Sequence, residues 1–295
     1  MKKFQGIFTV MLTAYDEAGK IDREAMRGLT EYQVRSGVHG LVVLGSNGEC
    51  PYLTGDLQRD AIDAVVEACA GRVPVIVGIN ERGTEQASNM AEYAQGAGAS
   101  GLLVALPIFY PLDEESVYEH YEKVAAEVDL PILFYNWPAN TGLALSPGSI
   151  ARLAEIDNIV GAKETIFDVE EVRALVEAAD EEFCVFTGMT LNLVATMAVG
   201  ACGAICPLPN VIPEKTVALY EAVVSGDSEK AAGLQNEIYT YAPLLASSAA
   251  PHAMLKEAVR LLGHPISAAV KGPLPQLRSE QADIVRKMLE GAGLI

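Results

Sequence analysis

Eight short apolar runs recur every few tens of residues, and this repetition limits the fold more than any other feature of the chain. They are Ile7–Thr13, Gly40–Leu44, Pro74–Ile79, Gly101–Leu106, Pro131–Tyr135, Ile159–Lys163, Phe183–Thr187 and Gly203–Pro207. Near-continuous hydrophobicity, as opposed to strict alternation, is the pattern of parallel strands covered on both faces. Helix-like segments lie between the runs. Asp22–Ser36 carries Met26, Leu29, Tyr32 and Val34, and Thr54–Ala70 opens on a threonine suited to capping and carries Leu57, Ala61, Ile62, Val65 and Val66. Asp113–Val128 opens with an acidic first turn that suits the helix dipole, and Ser146-Pro147 reads as a cap followed by proline at the first helical position. Strand and helix alternating eight times predict an α/β chain folded as a TIM (β/α)8 barrel, for which about 250 residues is typical. An open doubly wound sheet needs fewer strands, and no GxGxxG follows the first run.

The eighth run ends near Leu208, and the rest of the chain reads as helical: Pro213–Ser225, Asp227–Leu245 interrupted at Pro243, Pro251–Leu262 and Ser279–Gly291. The first of these completes the outer ring. The expected organisation is a barrel over residues 1–225 carrying the active site and a small C-terminal helical appendage over 226–295, serving stability or subunit packing.

Composition narrows the partners. A chain of 295 residues that is 50% hydrophobic can bury a sizeable core. A net charge of −18 argues against nucleic acid or an anionic membrane surface as a partner. Cys50, Cys69, Cys184, Cys202 and Cys206 are scattered, with no CxxC pair, which suits reduced thiols in a reducing compartment. Lys2 and Lys3 precede an apolar run in the manner of a signal peptide. That run is short, contains Thr9 and Thr13, and meets Asp16 and Glu17, so it reads as the first strand. No stretch is long and apolar enough to span a bilayer, and a cytoplasmic location is expected.

In such a barrel, reactive groups sit at the C-terminal ends of the strands. The sixth run continues as Ile159-Val160-Gly161-Ala162-Lys163-Glu164-Thr165, an apolar strand ending on a lysine. Burial disfavours the ammonium form, and catalytic lysines are brought to roughly pKa 7–8 in this way. The neutral amine is the nucleophile that forms an imine with a ketone. A lysine just past a strand end can also snorkel to solvent. Among the other lysines, only Lys271, after Ala268-Ala269-Val270, shares an apolar approach, and it lies in the helical appendage beside Gly272-Pro273.

The second run ends in Gly45-Ser46-Asn47-Gly48-Glu49, whose backbone N–H groups could bind a carboxylate, although such residues also make ordinary turns. The fifth ends in Tyr135-Asn136-Trp137-Pro138-Ala139-Asn140-Thr141-Gly142. Tyr135 could pass a proton to a reacting oxygen, or could be a core aromatic. The seventh run ends at Gly188, and the eighth passes through Ile205. His39, His120, His252 and His264 are widely separated, without HxH or HExxH spacing, so no metal site is expected. No GxSxG elbow or Gly-Lys-Ser/Thr phosphate loop occurs.

The three motifs Gly45-Ser46-Asn47-Gly48-Glu49, Tyr135-Asn136-Trp137-Pro138 and Gly161-Ala162-Lys163-Glu164, in that order, resemble the pyruvate-dependent class I aldolase family. That family includes N-acetylneuraminate lyase, dihydrodipicolinate synthase and several 2-keto-acid aldolases. The resemblance covers essentially the whole chain. It implies a TIM barrel assembled as a homotetramer, acting on a small-molecule keto acid through a covalent imine and no cofactor. Carried over by position, Lys163 matches the Schiff-base lysine and Tyr135 the proton-shuttling tyrosine. Ser46 and the backbone at Asn47 match the turn that holds the pyruvate carboxylate, and Gly188 and Ile205 match residues lining the imine pocket. Where the synthase of lysine biosynthesis has an arginine for the aldehyde's carboxylate, this chain has Asn140, which lacks a cationic fork. The synthase's second relay tyrosine falls at Phe109, beside Tyr110, and its relay threonine falls at Asn47. The segment Pro138-Ala139-Asn140-Thr141-Gly142-Leu143 is similar to 4-hydroxy-2-oxoglutarate aldolases. The resemblance therefore implies a lyase that reversibly cleaves a 4-hydroxy-2-keto acid, of the 4-hydroxy-2-oxoglutarate or 2-keto-3-deoxy sugar acid type, to pyruvate and an aldehyde. The alternatives are the dihydrodipicolinate synthase condensation and a non-catalytic sensor of pyruvate-like ligands.

Overall fold

The structure is a computed structural model that describes residues 3–108, 110–143, 145–246 and 251–295. Phe109 lies outside the described residues. The strands are β1 (Gly6–Val10), β2 (Gly40–Val43), β3 (Val75–Ile79), β4 (Gly101–Ala105), β5 (Ile132–Asn136), β6 (Ile159–Glu164), β7 (Cys184–Thr187) and β8 (Gly203–Cys206). They pair in sequence order, all parallel, and β8 closes on β1. This is the (β/α)8 barrel that the eight apolar runs predict. Six strands are shorter than their runs, β5 is equal in length to its run, and β6 is longer by Glu164; past β1, Met11, Leu12 and Thr13 continue as buried loop, with the Met11 N–H still donating to the Val42 carbonyl at 2.9 Å.

The helices are α1 (Arg23–Arg35), α2 (Gly55–Cys69), α3 (Thr84–Gly96), α4 (Glu114–Ala126), α5 (Pro138–Thr141), α6 (Pro147–Leu153), α7 (Val169–Ala178), α8 (Leu193–Ala198), α9 (Pro213–Val224), α10 (Ser228–Tyr239), α11 (Pro243–Ala246), α12 (Pro251–Leu261) and α13 (Ser279–Gly291). Their starts follow capping chemistry. The Asp22, Asp113 and Ser146 side chains accept the N–H groups of Ala25, Ser116 and Ser149. Thr54 occupies the N-cap of α2, but its hydroxyl makes no capping bond. Proline at Pro147, Pro213 and Pro243 starts a helix without losing an intrahelical hydrogen bond.

The core has two layers. Between strands and helices lies a continuous apolar shell that includes Leu41, Val43, Leu102, Val104, Ile132 and Phe134. Inside the barrel the residues that alternate with these form a second cluster, with Phe8, Val42, Leu103, Leu133, Phe186 and Ile205. Phe8 and Phe186 meet edge to face at 5.6 Å between ring centres. Gly40 makes room for them, since a Cβ there would stand 2.1 Å from the Phe8 ring. This inner plug closes the lower barrel, so chemistry is confined to the end where β2, β5, β6 and β7 finish. Among the described residues no helix is long and apolar enough to cross a membrane.

Candidate active site

Strand register decides which side chains meet at that end. Tyr135 pairs with Lys163 across β5 and β6, and Lys163 with Phe186 across β6 and β7. Successive side chains point to opposite faces of a strand, so Tyr135, Lys163 and Phe186 enter the barrel while Asn136 and Glu164 face the helices. Lys163 is 3% exposed and Tyr135 4%. The Lys163 Nζ lies 4.2 Å from the centre of the Tyr135 ring and has no ion-pair partner among the described residues. The ring face attracts a cation by about 0.5–2 kcal/mol, far less than a paired carboxylate does at this depth. Trp137 stacks on Tyr135, 5.9 Å away with 19° between the planes, and holds the ring in place.

Gly188 follows β7 and is buried. A Cβ there would sit 2.2 Å from Thr165 Oγ1 and 3.1 Å from Lys163 Cε, so only glycine leaves the lysine its space. Ile205 is fully buried in the same inner cluster as Tyr135.

Beyond β2 the chain makes a single 3-10 turn over Ser46–Gly48. The Gly48 and Glu49 N–H groups close it on the Gly45 and Ser46 carbonyls at 2.9 and 3.1 Å. The N–H groups of Ser46 and Asn47 have no acceptor among the described residues. Successive free N–H groups at the end of a barrel strand form a concavity suited to an anion. Leu44 and Glu49 flank this turn at φ 61° and 63°, values that cost a side chain with a Cβ roughly 1–2 kcal/mol each. Strain of this kind persists only where surroundings enforce it. The Leu44 carbonyl is held by the Asn80 Nδ2 donor at 3.2 Å.

A cavity of about 740 Å3 opens above these groups, lined by Ser46, Tyr135, Trp137, Asn140, Tyr110 and Arg82 among others. Its size suits a small organic ligand. Asn140, on α5, and Tyr110 are exposed, the latter by 76%. The structure thus brings Ser46, Tyr135, Asn140 and Tyr110 to one cavity. Lys163, Asn47, Gly188 and Ile205 are not among its lining residues, and Lys163 adjoins it through the Tyr135 ring. Trp137 stands in one of the three motifs without a role of its own, and Arg82 is outside all of them. Arg82 follows β3 by three residues, so reading every strand end for charged groups would have found it. It has no ion pair among the described residues.

Behind the lysine, Glu164 is 0% exposed. Its Oε2 accepts the Asn136 Nδ2 donor at 2.8 Å, and its Oε1 has no hydrogen-bond partner among the described residues. Burial pushes this carboxyl up to about 7, with the Asn136 hydrogen bond pulling the other way. Among the described residues, no three His, Cys, Asp or Glu side chains gather in a group that could hold a metal ion.

Comparison with known proteins shows the family of the chain. The model of the dihydrodipicolinate synthetase family matches residues 3–292. The 4-hydroxy-tetrahydrodipicolinate synthase of Nitratidesulfovibrio vulgaris (strain DSM 19637 / Miyazaki F) is 33% identical, over 99% of this chain and 100% of that protein. The probable 2-dehydro-3-deoxy-D-pentonate aldolase YjhH of Escherichia coli K12 is 31% identical, over 100% of this chain and 99% of its own. The crystal structure of YagE, a prophage protein of the dihydrodipicolinic acid synthase family from E. coli K12 in complex with pyruvate, superposes with a TM-score of 0.96 at 29% identity. That superposition covers 99% of this chain and all of the other. With a family match over nearly its full length and relatives named both synthase and aldolase, the chain is a lyase and belongs to the dihydrodipicolinate synthetase family.

Proposed function

We propose that this protein is a class I aldolase that reversibly cleaves a 4-hydroxy-2-keto acid to pyruvate and an aldehyde. The observation that carries the reading is a buried lysine at the end of β6, without a carboxylate partner among the described residues and against the face of Tyr135. In this reading the neutral Lys163 amine attacks the keto carbon, and loss of water gives an iminium. Tyr135, left as a phenolate after giving its proton to the departing water, takes the proton of the C4 hydroxyl; the C3–C4 bond breaks, and its electron pair flows into the iminium to leave an enamine. The aldehyde departs, C3 is protonated, and water releases pyruvate and regenerates the amine. The free N–H groups of Ser46 and Asn47 hold the substrate carboxylate, with Gly188 and Ile205 walling the imine. The imine itself is the electron sink, so the reaction calls for no cofactor.

For the aldehyde half, Asn140 offers hydrogen bonds and Arg82 a guanidinium at the cavity wall. This favours a substrate with a second carboxylate, such as 4-hydroxy-2-oxoglutarate, over a 2-keto-3-deoxy sugar acid. The second reading is the condensation of pyruvate with an aldehyde, as in 4-hydroxy-tetrahydrodipicolinate synthase, and the names of several relatives favour it. We assign the chemistry to a barrel over residues 1–225 and the remainder to a helical appendage. We further propose a homotetramer, with the exposed Ile108 and Tyr110 near the subunit contacts, and a cytoplasmic location suited to five free thiols.

Borohydride added with pyruvate tests the reading. A reduced pyruvyl adduct on Lys163, lost in Lys163→Ala, is expected, and an unmodified mass would sink it. Pyruvate release across a panel of 2-keto acids then separates the substrates.

A further inference from the structure

A fully buried ion pair lies behind the Ser46 turn. Glu49 and Lys256 are both 0% exposed, and the Lys256 ammonium contacts Glu49 Oε1. Glu49 Oε2 accepts the backbone N–H of Lys271 at 2.6 Å. Lys256 Nζ also donates to the Ala269 carbonyl at 2.8 Å. Both ammonium groups, Lys256 and Lys271, stand over the Tyr15 ring, at 4.3 and 4.6 Å from its centre. Four residues before Lys256 on α12, the His252 ring nitrogen Nε2 lies 3.1 Å from the Ser46 carbonyl oxygen. The turn is thus tied at both ends to the C-terminal helices. His252 holds its first residue and the ion pair holds Glu49, the residue forced to positive φ just after it.

Stability alone is a poor explanation for such a pair. Taking two charges out of water is costly, and apolar residues of similar volume often serve folding as well or better. What a buried carboxylate held by an ammonium on one oxygen and a backbone N–H on the other supplies is direction. Glu49 can be satisfied in one place only, and that place fixes the backbone of a turn whose Ser46 and Asn47 N–H groups stay free.

We infer that Glu49, Lys256 and His252 are positioning residues that hold the Ser46–Gly48 turn in its anion-binding shape, so that the C-terminal helices set the affinity for the substrate carboxylate. The inference rests on the aldolase reading, in which that turn cradles the carboxylate of the keto acid.

The test is borohydride trapping on the full chain, with pyruvate and with acetone, a ketone that lacks the carboxylate. Glu49→Gln/Lys256→Met removes both charges together and leaves no unpaired ion, and His252→Leu removes the second tie alone. For each variant, the pyruvate concentration at half-maximal trapping is expected to rise tenfold or more. The trapping rate at saturating pyruvate and the rate with acetone are expected to change less than threefold. An unchanged half-saturation for pyruvate overturns the inference, as does a parallel loss with pyruvate and acetone, which marks general damage. If the double variant does not fold, His252→Leu decides by the same criteria. Wild-type protein that traps neither ketone overturns the aldolase reading, and this inference with it. Wild-type trapping with unaffected variants overturns the inference alone.

Discussion

Tyr135 and Lys163 face each other across a strand pair, the amine 4.2 Å from the ring centre, inside a barrel where both are almost wholly buried. The ring and the hydroxyl of Tyr135 have separable duties. The ring packs between Lys163 and Trp137, and the hydroxyl is the group that could move a proton. Tyr135→Phe keeps the packing and removes the hydroxyl. It is expected to lower kcat by about 10²–10⁴, the range for losing a general acid–base group, with little change in thermal stability. Steady-state pyruvate release checks it, and full activity in the variant would take the proton-transfer role away from Tyr135.

Gly188 is predicted to tolerate no side chain. The Cβ of Gly188→Ala would meet Thr165, a β-branched residue stiff at χ1, and then the Lys163 Cε. Thr165 must shift outright and the lysine by a few tenths of an ångström for the methyl to fit, and displacements approaching 1 Å around a reacting group cost on the order of 10²-fold in rate. Kinetics should show that loss while circular dichroism shows a folded barrel. A variant with wild-type turnover would mean that the lysine has room it does not need.

Not every part of this arrangement was equally legible in the sequence. The strands announced themselves because both of their faces are covered, which makes them near-continuously apolar, and Lys163 stood out because it ends such a run. Glu49 could be read only as the tail of a turn. Its partners come from the far end of the chain, with Lys271 222 positions away, and no local pattern encodes that pairing. For the same reason Lys256 reads as one lysine of an amphipathic helix, and Lys271 shows its apolar approach without showing its partner. Glu164 follows Lys163 directly, but strand alternation sends it to the opposite face, and only the packed helices reveal that it lies in a dry site.

Asn140→Arg is expected to redirect the aldehyde preference. Asn140 is exposed on α5 and lines the cavity that Tyr135 and Ser46 share. An arginine there can pair in bidentate fashion with a carboxylate, at about 1.5–3 kcal/mol for a charged hydrogen-bonded contact, or roughly 10- to 100-fold in affinity. In the condensation direction with pyruvate, kcat/KM for glyoxylate should rise while that for glyceraldehyde stays level. Equal effects on both aldehydes would show that position 140 does not face the substrate.

Glu164 makes a prediction about pH. Its folded pKa is raised from the ordinary 4.5 to about 7, chiefly by burial. Between those values the folded chain keeps a proton that the unfolded chain has released. This group's contribution to stability is therefore greatest below about pH 4.5, falls as pH rises through the window, and is constant above about pH 7. The loss across the window is on the order of 3 kcal/mol for a shift of this size. Glu164→Gln supplies a permanently neutral side chain of the same shape, whose oxygen can still accept from Asn136. The variant should match the wild type near pH 4, become progressively more stable than it as pH rises from 4.5 to 7, and hold that difference toward pH 8. Urea unfolding of both proteins at several pH values measures the difference and cancels contributions from other groups, such as His120, which burial pushes down to about 4. A difference that stays constant with pH would mean that Glu164 is charged in the folded protein throughout.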